Sequence, residues 1–186
     1  SVAKIFDMTV ASTGASEKSL SRAGKVYGKD YHVSLVHPMS HAGYYPGATP
    51  MTIKLIFADC GDVLGAQIVG YDGVDKRIDT ISTLLHFHGK VDDLTNLELA
   101  YAPPYSSAKD PVNFAGYAAE NILVGFAHPI KFSEWEADKD KYVLLDVREE
   151  IEVLASPVDG AIHIPLTKLR DRFEELDRDK CYVAFC

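Results

Sequence analysis

The 186-residue chain has three cysteines, one tryptophan and no stretch of basic residues, and each scarcity excludes something. Cys60, Cys181 and Cys186 are odd in number and form no CxxC, which removes a disulfide framework and a dithiol redox motif, so reduced thiols in a cytoplasmic protein are the simplest expectation. No apolar run approaches the roughly 18 residues that a bilayer span requires. The start has no basic, apolar, small-residue secretory pattern. Net charge is −8, with 19 basic residues scattered among 27 acidic ones, and no clustered positive face exists to attract nucleic acid or an anionic membrane. No glycines fall in a GxGxxG spacing, so the chain carries no dinucleotide fingerprint. The histidines do not group: His86 and His88 stand two apart, a spacing that does not share a helix face, and no metal site is expected. Nor is there an internal repeat. With no initiator Met before Ser1-Val2 and a chain closing on Cys186, the sequence reads as a piece of a larger protein.

What is present is ordinary globular material, 47% hydrophobic and 25% charged, enough for one large domain or one domain and part of another. Val2–Val10 reads as a strand. Ser16 or Thr13 can cap a short helix ending near Ala23, and Tyr31–His37 reads as a second strand before a loop from Pro38 to Pro50. Ile53, Leu55 and Phe57 alternate with Thr52, Lys54 and Ile56, and Val63–Tyr71 answers them across Asp59-Cys60-Gly61-Asp62 as a hairpin. Cys60, in that turn with no histidine beside it in sequence, is incidental. Val74, Ile78, Ile81, Leu84 and Leu85 fall on one helical face, with Gly89 at C′ and Lys76 and Arg77 as solvated charges at the helix start. After the proline-broken loop Tyr101–Ser107, Asp110-Pro111 opens a helix as cap and first residue, carrying Phe114, Tyr117, Ala118, Ile122 and Leu123 and closed by Gly125.

The pattern resets near residues 126–132. Lys141–Val147 reads as a buried strand, Glu149–Leu154 as a short helix and Ala161–Ile164 as an extended stretch. Leu166, Leu169, Phe173 and Leu176 mark an amphipathic helix before the strand Cys181–Cys186. Cys186 thus lies just beyond a buried strand, where α/β proteins place reactive side chains. Cys181 is five residues earlier, on the opposite face of that strand.

Strand ending in Asp146-Val147-Arg148-Glu149, then Gly160-Ala161-Ile162-His163-Ile164-Pro165, then helix and a strand ending in cysteine: residues 128–186 resemble the first half of a rhodanese-like sulfurtransferase domain. The resemblance implies that Cys186 carries sulfane sulfur as a persulfide, with Asp146 and Arg148 bracing the scaffold. The family's anion cradle follows its cysteine, so the segment as it stands is expected to be inactive and fragile, with an unpaired strand edge. Ser156-Pro157-Val158-Asp159 departs from the Gly-His-Ile start that relatives often have.

Two tyrosine-rich loops, His41-Ala42-Gly43-Tyr44-Tyr45-Pro46-Gly47 and Tyr101-Ala102-Pro103-Pro104-Tyr105, stand out in the first segment, with Asp75–Asp79 and Ser107–Pro111 around them. This segment, 1–127, resembles the C-terminal dimerisation domain of flavin-dependent pyridine nucleotide–disulfide oxidoreductases, in particular coenzyme A-disulfide reductases with a fused rhodanese domain, often labelled NADH oxidases. That resemblance implies an α+β fold, an antiparallel sheet with helices on one side, followed by the first half of an α/β rhodanese-like domain. It implies a homodimer in which Tyr44 and Tyr101, with Tyr45 and Tyr105 as lesser candidates, orient sulfur in the partner subunit's active site. The parent would use FAD and NAD(P)H to reduce CoA disulfide, CoA persulfide or polysulfide, electrons passing through a redox cysteine that lies, like both cofactor sites, outside this chain. None of these cofactors would be held by residues 1–186 alone. The alternative is a dimerisation and interaction module without turnover, carrying an inactive rhodanese remnant.

Overall fold

The computed structural model describes residues 1–186, which divide into two compact units, Ser1–Pro129 and Ile130–Cys186. The first is built on a five-stranded antiparallel sheet of β1 (Val2–Ile5), β2 (Met8–Gly14), β3 (His32–Val36), β4 (Met51–Phe57) and β5 (Val63–Gly70), in the spatial order β1-β2-β5-β4-β3. The first apolar run is therefore not one strand. A two-residue turn at Phe6-Asp7, with Phe6 at φ 53°, folds it into a hairpin in which Val2–Ile5 pair antiparallel with Met8–Ala11.

One sheet face is apolar. Ile53 and Leu55 of β4 and Ala66 and Ile68 of β5 are inaccessible, while Thr52, Lys54 and Gln67 between them are not. Two helices lie on the apolar face: α2 (Val74–His86) over β2 and β5, and α4 (Pro111–Leu123) over β3 and β4. Helix α2 turns Val74, Ile78 and Ile81 inward at the spacing the sequence announces. Its end differs in detail from expectation. Phe87 is the C-cap and His88, at φ 56°, takes the left-handed C′ position, with Gly89 N–H bonding back to Leu84 O at 2.9 Å and His88 N–H to Leu85 O at 3.1 Å. Gly89 is needed one place later, where a Cβ would collide with the Leu84 side chain.

Helix α4 buries small residues, Ala115, Gly116 and Ala119, and leaves Phe114 substantially exposed. The small face allows close approach by α3 (Val91–Asn96), a one-turn helix that the apolar periodicity is too brief to reveal. The short α1 (Glu17–Arg22) is capped by Ser16, whose hydroxyl accepts from Ser19 N–H while Ser19 answers with its own side chain.

The second unit holds a three-stranded parallel sheet, order β7-β6-β8, of β6 (Tyr142–Asp146), β7 (Ile162–His163) and β8 (Cys181–Phe185). Helices α5 (Phe132–Ala137), α6 (Glu150–Ala155) and α7 (Leu166–Arg172) connect and flank the strands. Its core is small: Leu145, Val147 and Ile164, backed by Leu169, Leu176 and Tyr182. β8 pairs with β6 alone, and Ile151, Leu154 and Leu166 are exposed. No helix of either unit is long and apolar enough to cross a membrane.

Candidate functional site: two tyrosine loops on a buried ion pair

The two tyrosine loops, whose Tyr44 and Tyr101 are 57 residues apart in sequence, meet in space. Ala42 N–H donates to Ser106 O at 3.1 Å, joining their backbones, and the Tyr44 and Tyr101 hydroxyls lie 3.1 Å apart in a mutual hydrogen bond. Both rings are accessible, Tyr44 at 77% and Tyr101 at 48%. Tyr45 turns aside, its ring edge-on to the buried His41 at 5.8 Å between centroids, and Tyr105 is exposed without joining the hydroxyl pair. The hydrogen bond to Tyr44, with Tyr101 as its donor, favours the protonated phenol and raises the Tyr101 pKa above the usual value.

Beneath the loops lies a residue the sequence misplaces. Arg77 is not a solvated helix-start charge: it is 1% exposed, and all its nitrogens are engaged. Nε donates to Asp110 Oδ1 at 3.2 Å and Nη2 to Asp110 Oδ2 at 3.0 Å, a bidentate pair. The same Nη2 donates to Ser40 O at 2.7 Å and Nη1 to Gly73 O at 3.1 Å. Asp110 in turn caps α4 through Val112 N–H at 3.0 Å and accepts the Ser106 hydroxyl at 2.7 Å. Burial pushes the Asp110 carboxyl up, but the bonds from Arg77, Val112 and Ser106 outweigh it and hold the group below the usual aspartate range.

The signal for this node was present in the sequence. Arg77 is the residue before Ile78 on the inward stripe and three after Val74, so a helical wheel places it beside the core. Asp110 was legible as a cap, but no local rule pairs a cap with an arginine 33 residues earlier. Lys76, the neighbouring charge, does stay half-exposed, donating to Tyr105 O at 3.3 Å.

In the second unit, Asp146 ends β6 and is buried, and Arg148 grips it with Nε on Oδ1 at 2.9 Å and Nη2 on Oδ2 at 2.7 Å. Those bonds from Arg148 hold the Asp146 carboxyl below its usual range against the opposing effect of burial. Arg148 also donates to Ser156 O at 2.9 Å and lies over the Phe185 ring at 5.5 Å, and His163 Nε2 donates to its carbonyl at 2.9 Å. The register pairs Asp146 with Phe185, so Cys186 and Arg148 both lie beyond the carboxyl ends of neighbouring parallel strands. Cys60, Cys181 and Cys186 are all free and exposed, and no group of metal-ligating side chains forms.

An antiparallel sheet presenting tyrosine loops, followed by a parallel α/β unit, fits one class of domain. Residues 1–111 match the pyridine nucleotide-disulphide oxidoreductase dimerisation domain, and the chain belongs to that family. Among curated proteins it is similar to coenzyme A disulfide reductase of Staphylococcus epidermidis, 42% identical over 120 residues, which cover 64% of this chain and 26% of that protein. The corresponding enzyme of Staphylococcus aureus strain Newman is 39% identical over 120 residues, again 64% of this chain and 26% of the relative. The chain thus spans about a quarter of the length of these relatives. Two solved structures overlie it along its whole length: reduced CoADR-RHD from Bacillus anthracis, at TM-score 0.93 and 50% identity, and an NAD-dependent persulfide reductase from A. fulgidus, at 0.87 and 40%. In each, this chain covers 33% of the solved chain. The full-length overlap includes the parallel sheet, which is part of a rhodanese-like domain.

Proposed function

We propose that residues 1–186 are the dimerisation and sulfur-carrying portion of a cytoplasmic, homodimeric FAD- and NAD(P)H-dependent reductase acting on CoA disulfide, CoA persulfide or polysulfide. The observation that carries this reading is the Tyr44–Tyr101 hydroxyl pair, accessible on loops anchored from below. Reductive cleavage of a sulfur–sulfur bond releases a thiolate or hydropersulfide anion, and the pair offers a phenolic O–H to that sulfur as its charge develops. Because one tyrosine donates to the other, the second keeps its proton free to donate outward.

The chain has no glycine-rich strand–turn–helix, so FAD and NAD(P)H would be held by other parts of the full protein, where they would supply hydride and electron transfer. Tyr44 and Tyr101 would reach toward the partner subunit's redox cysteine, with Tyr45 and Tyr105 lining the approach. In the second unit, Cys186 would hold sulfane sulfur beside the Arg148 guanidinium, with Asp146 keeping that guanidinium fixed.

The test uses the full-length enzyme with Tyr44→Phe, Tyr101→Phe and the double change. NADH-linked reduction of CoA disulfide or persulfide should fall on the order of 10²-fold while flavin absorbance and dimer mass stay unchanged. Unaltered steady-state rates in all three variants would remove the role assigned to the tyrosines.

A further inference from the structure

We infer that Arg77, Asp110 and Ser106 form a positioning device that sets the separation of the Tyr44 and Tyr101 hydroxyls. The inference rests on the proposed function for its consequence in turnover, but its structural content stands apart from it. Four contacts define the device. Arg77 reaches Ser40 O, four residues before Tyr44, and grips Asp110, and Asp110 accepts the hydroxyl of Ser106, five residues after Tyr101. The fourth, Ala42 N–H to Ser106 O, closes the ring of contacts between the loops. A single buried ion pair therefore holds the stems of both tyrosine loops and the first turns of α2 and α4.

Stability alone is a poor reason for this arrangement. Buried ion pairs are often no better than a packed apolar pair of the same volume, because desolvation cancels most of the attraction. What an apolar pair cannot do is fix the backbones of two separate loops in direction and distance. Arg77 does so: the fork of its guanidinium is divided between the Asp110 carboxylate and the carbonyls of Ser40 and Gly73. The hydroxyl pair depends on this more than a packed contact would, since a hydrogen bond tolerates only a few tenths of an ångström. Lys76, the other cation facing Asp110, at 3.8 Å, is half-exposed and bonds only the Tyr105 carbonyl, so it cannot replace Arg77.

The experiment uses the full-length holoenzyme with Ser106→Ala, Ser106→Thr and Arg77→Lys. Ser106→Ala removes one hydroxyl and is the variant that folds even if Arg77→Lys does not. Phenolate absorbance is titrated in each variant with and without Tyr101→Phe, the difference isolating Tyr101, and Tyr44→Phe marks complete loss of the pair. Ser106→Ala and Arg77→Lys should move the Tyr101 midpoint down toward that of Tyr44→Phe, and Ser106→Thr should restore it. In the same variants kcat should fall about tenfold with KM within about twofold, as expected for misplacement of groups that act on the departing sulfur. A Tyr101 midpoint unchanged in Ser106→Ala overturns the positioning role, whatever happens to melting temperature. A midpoint that moves while kcat does not supports the device and counts against the catalytic role of the tyrosines instead.

Discussion

Asp110→Asn removes the charge at the centre of the fold while keeping the shape of the side chain. Asparagine is as good an N-cap as aspartate, so the bond to Val112 N–H and the start of α4 survive. Its carboxamide fills the same space. What disappears is the negative charge opposite a guanidinium that is 1% exposed, together with one acceptor, since an amide nitrogen in place of Oδ2 cannot accept from Arg77 Nη2 or the Ser106 hydroxyl. Removing one partner of a buried pair costs about 3–5 kcal/mol, because the remaining ion stays desolvated without compensation. For a chain of this size that corresponds to a melting temperature lower by roughly 6–20 °C. Urea unfolding followed by circular dichroism measures the loss, and hydrogen exchange in α2 and α4 assigns it to the first unit. The double change Arg77→Met with Asp110→Asn keeps the cap and should cost less than the two single changes added together, the coupling expected of charges that neutralise each other. The pH dependence has a definite sign. The folded carboxyl titrates below its unfolded value, so its contribution is complete above about pH 4 and is lost as pH falls through the lower folded value. Asp110→Asn should therefore flatten the acid limb of the stability curve. A cost under about 1 kcal/mol with that limb intact would mean that Arg77 finds water in solution, and the buried node would be refuted.

Two further outcomes test other parts of the molecule. Gly116→Ala should destabilise the first unit by about 1–3 kcal/mol in thermal melts, because a Cβ there would stand 2.9 Å from Leu94 Cβ and force α3 away from α4; an unchanged melt would show that the two helices are looser than their packing implies. Cys186→Ser in the full-length protein should abolish sulfur transfer from thiosulfate or polysulfide and leave NADH-linked disulfide reduction unchanged, and mass spectrometry finding the persulfide on Cys60 or Cys181 instead would reassign the carrier.

The strands and long helices were legible because their signals are local. Alternation in β4 and β5, the 3.6-residue stripe of α2 and the Asp110-Pro111 cap each lie within a window of a few residues, and each forms as read. The hairpin at Phe6-Asp7 was not legible, since a lone Asp7 beside a bulky Phe6 is a weak turn signal and the reversal is fixed by pairing of Val2–Ile5 with Met8–Ala11. Nor was α3, a single turn that owes its place to Gly116 and to the Asn113 side chain, which donates to Leu94 O and Leu97 O at 2.8 and 3.0 Å. The tyrosines were picked out by loop composition. That Tyr44 meets Tyr101 while Tyr45 and Tyr105 do not is a consequence of packing across 57 residues.

Arg77 shows where sequence reading stops and why. Charge at a helix start is usually solvated, and burying a guanidinium is costly enough that the prior is sound. It fails here because the structure supplies what the sequence window cannot contain: a carboxylate 33 residues away and carbonyls from two turns, which together replace the lost water. Under the proposed function, the exposed tyrosines and the hidden ion pair follow from one requirement. Two hydroxyls must be held close while remaining open to a ligand, so nothing can pack over them and their restraint has to come from below. Apolar contacts restrain a loop by covering it; hydrogen bonds to its stem leave its tip uncovered. A loop pair that must stay accessible and still keep a 3.1 Å spacing is thus a site where a buried polar node is the better solution.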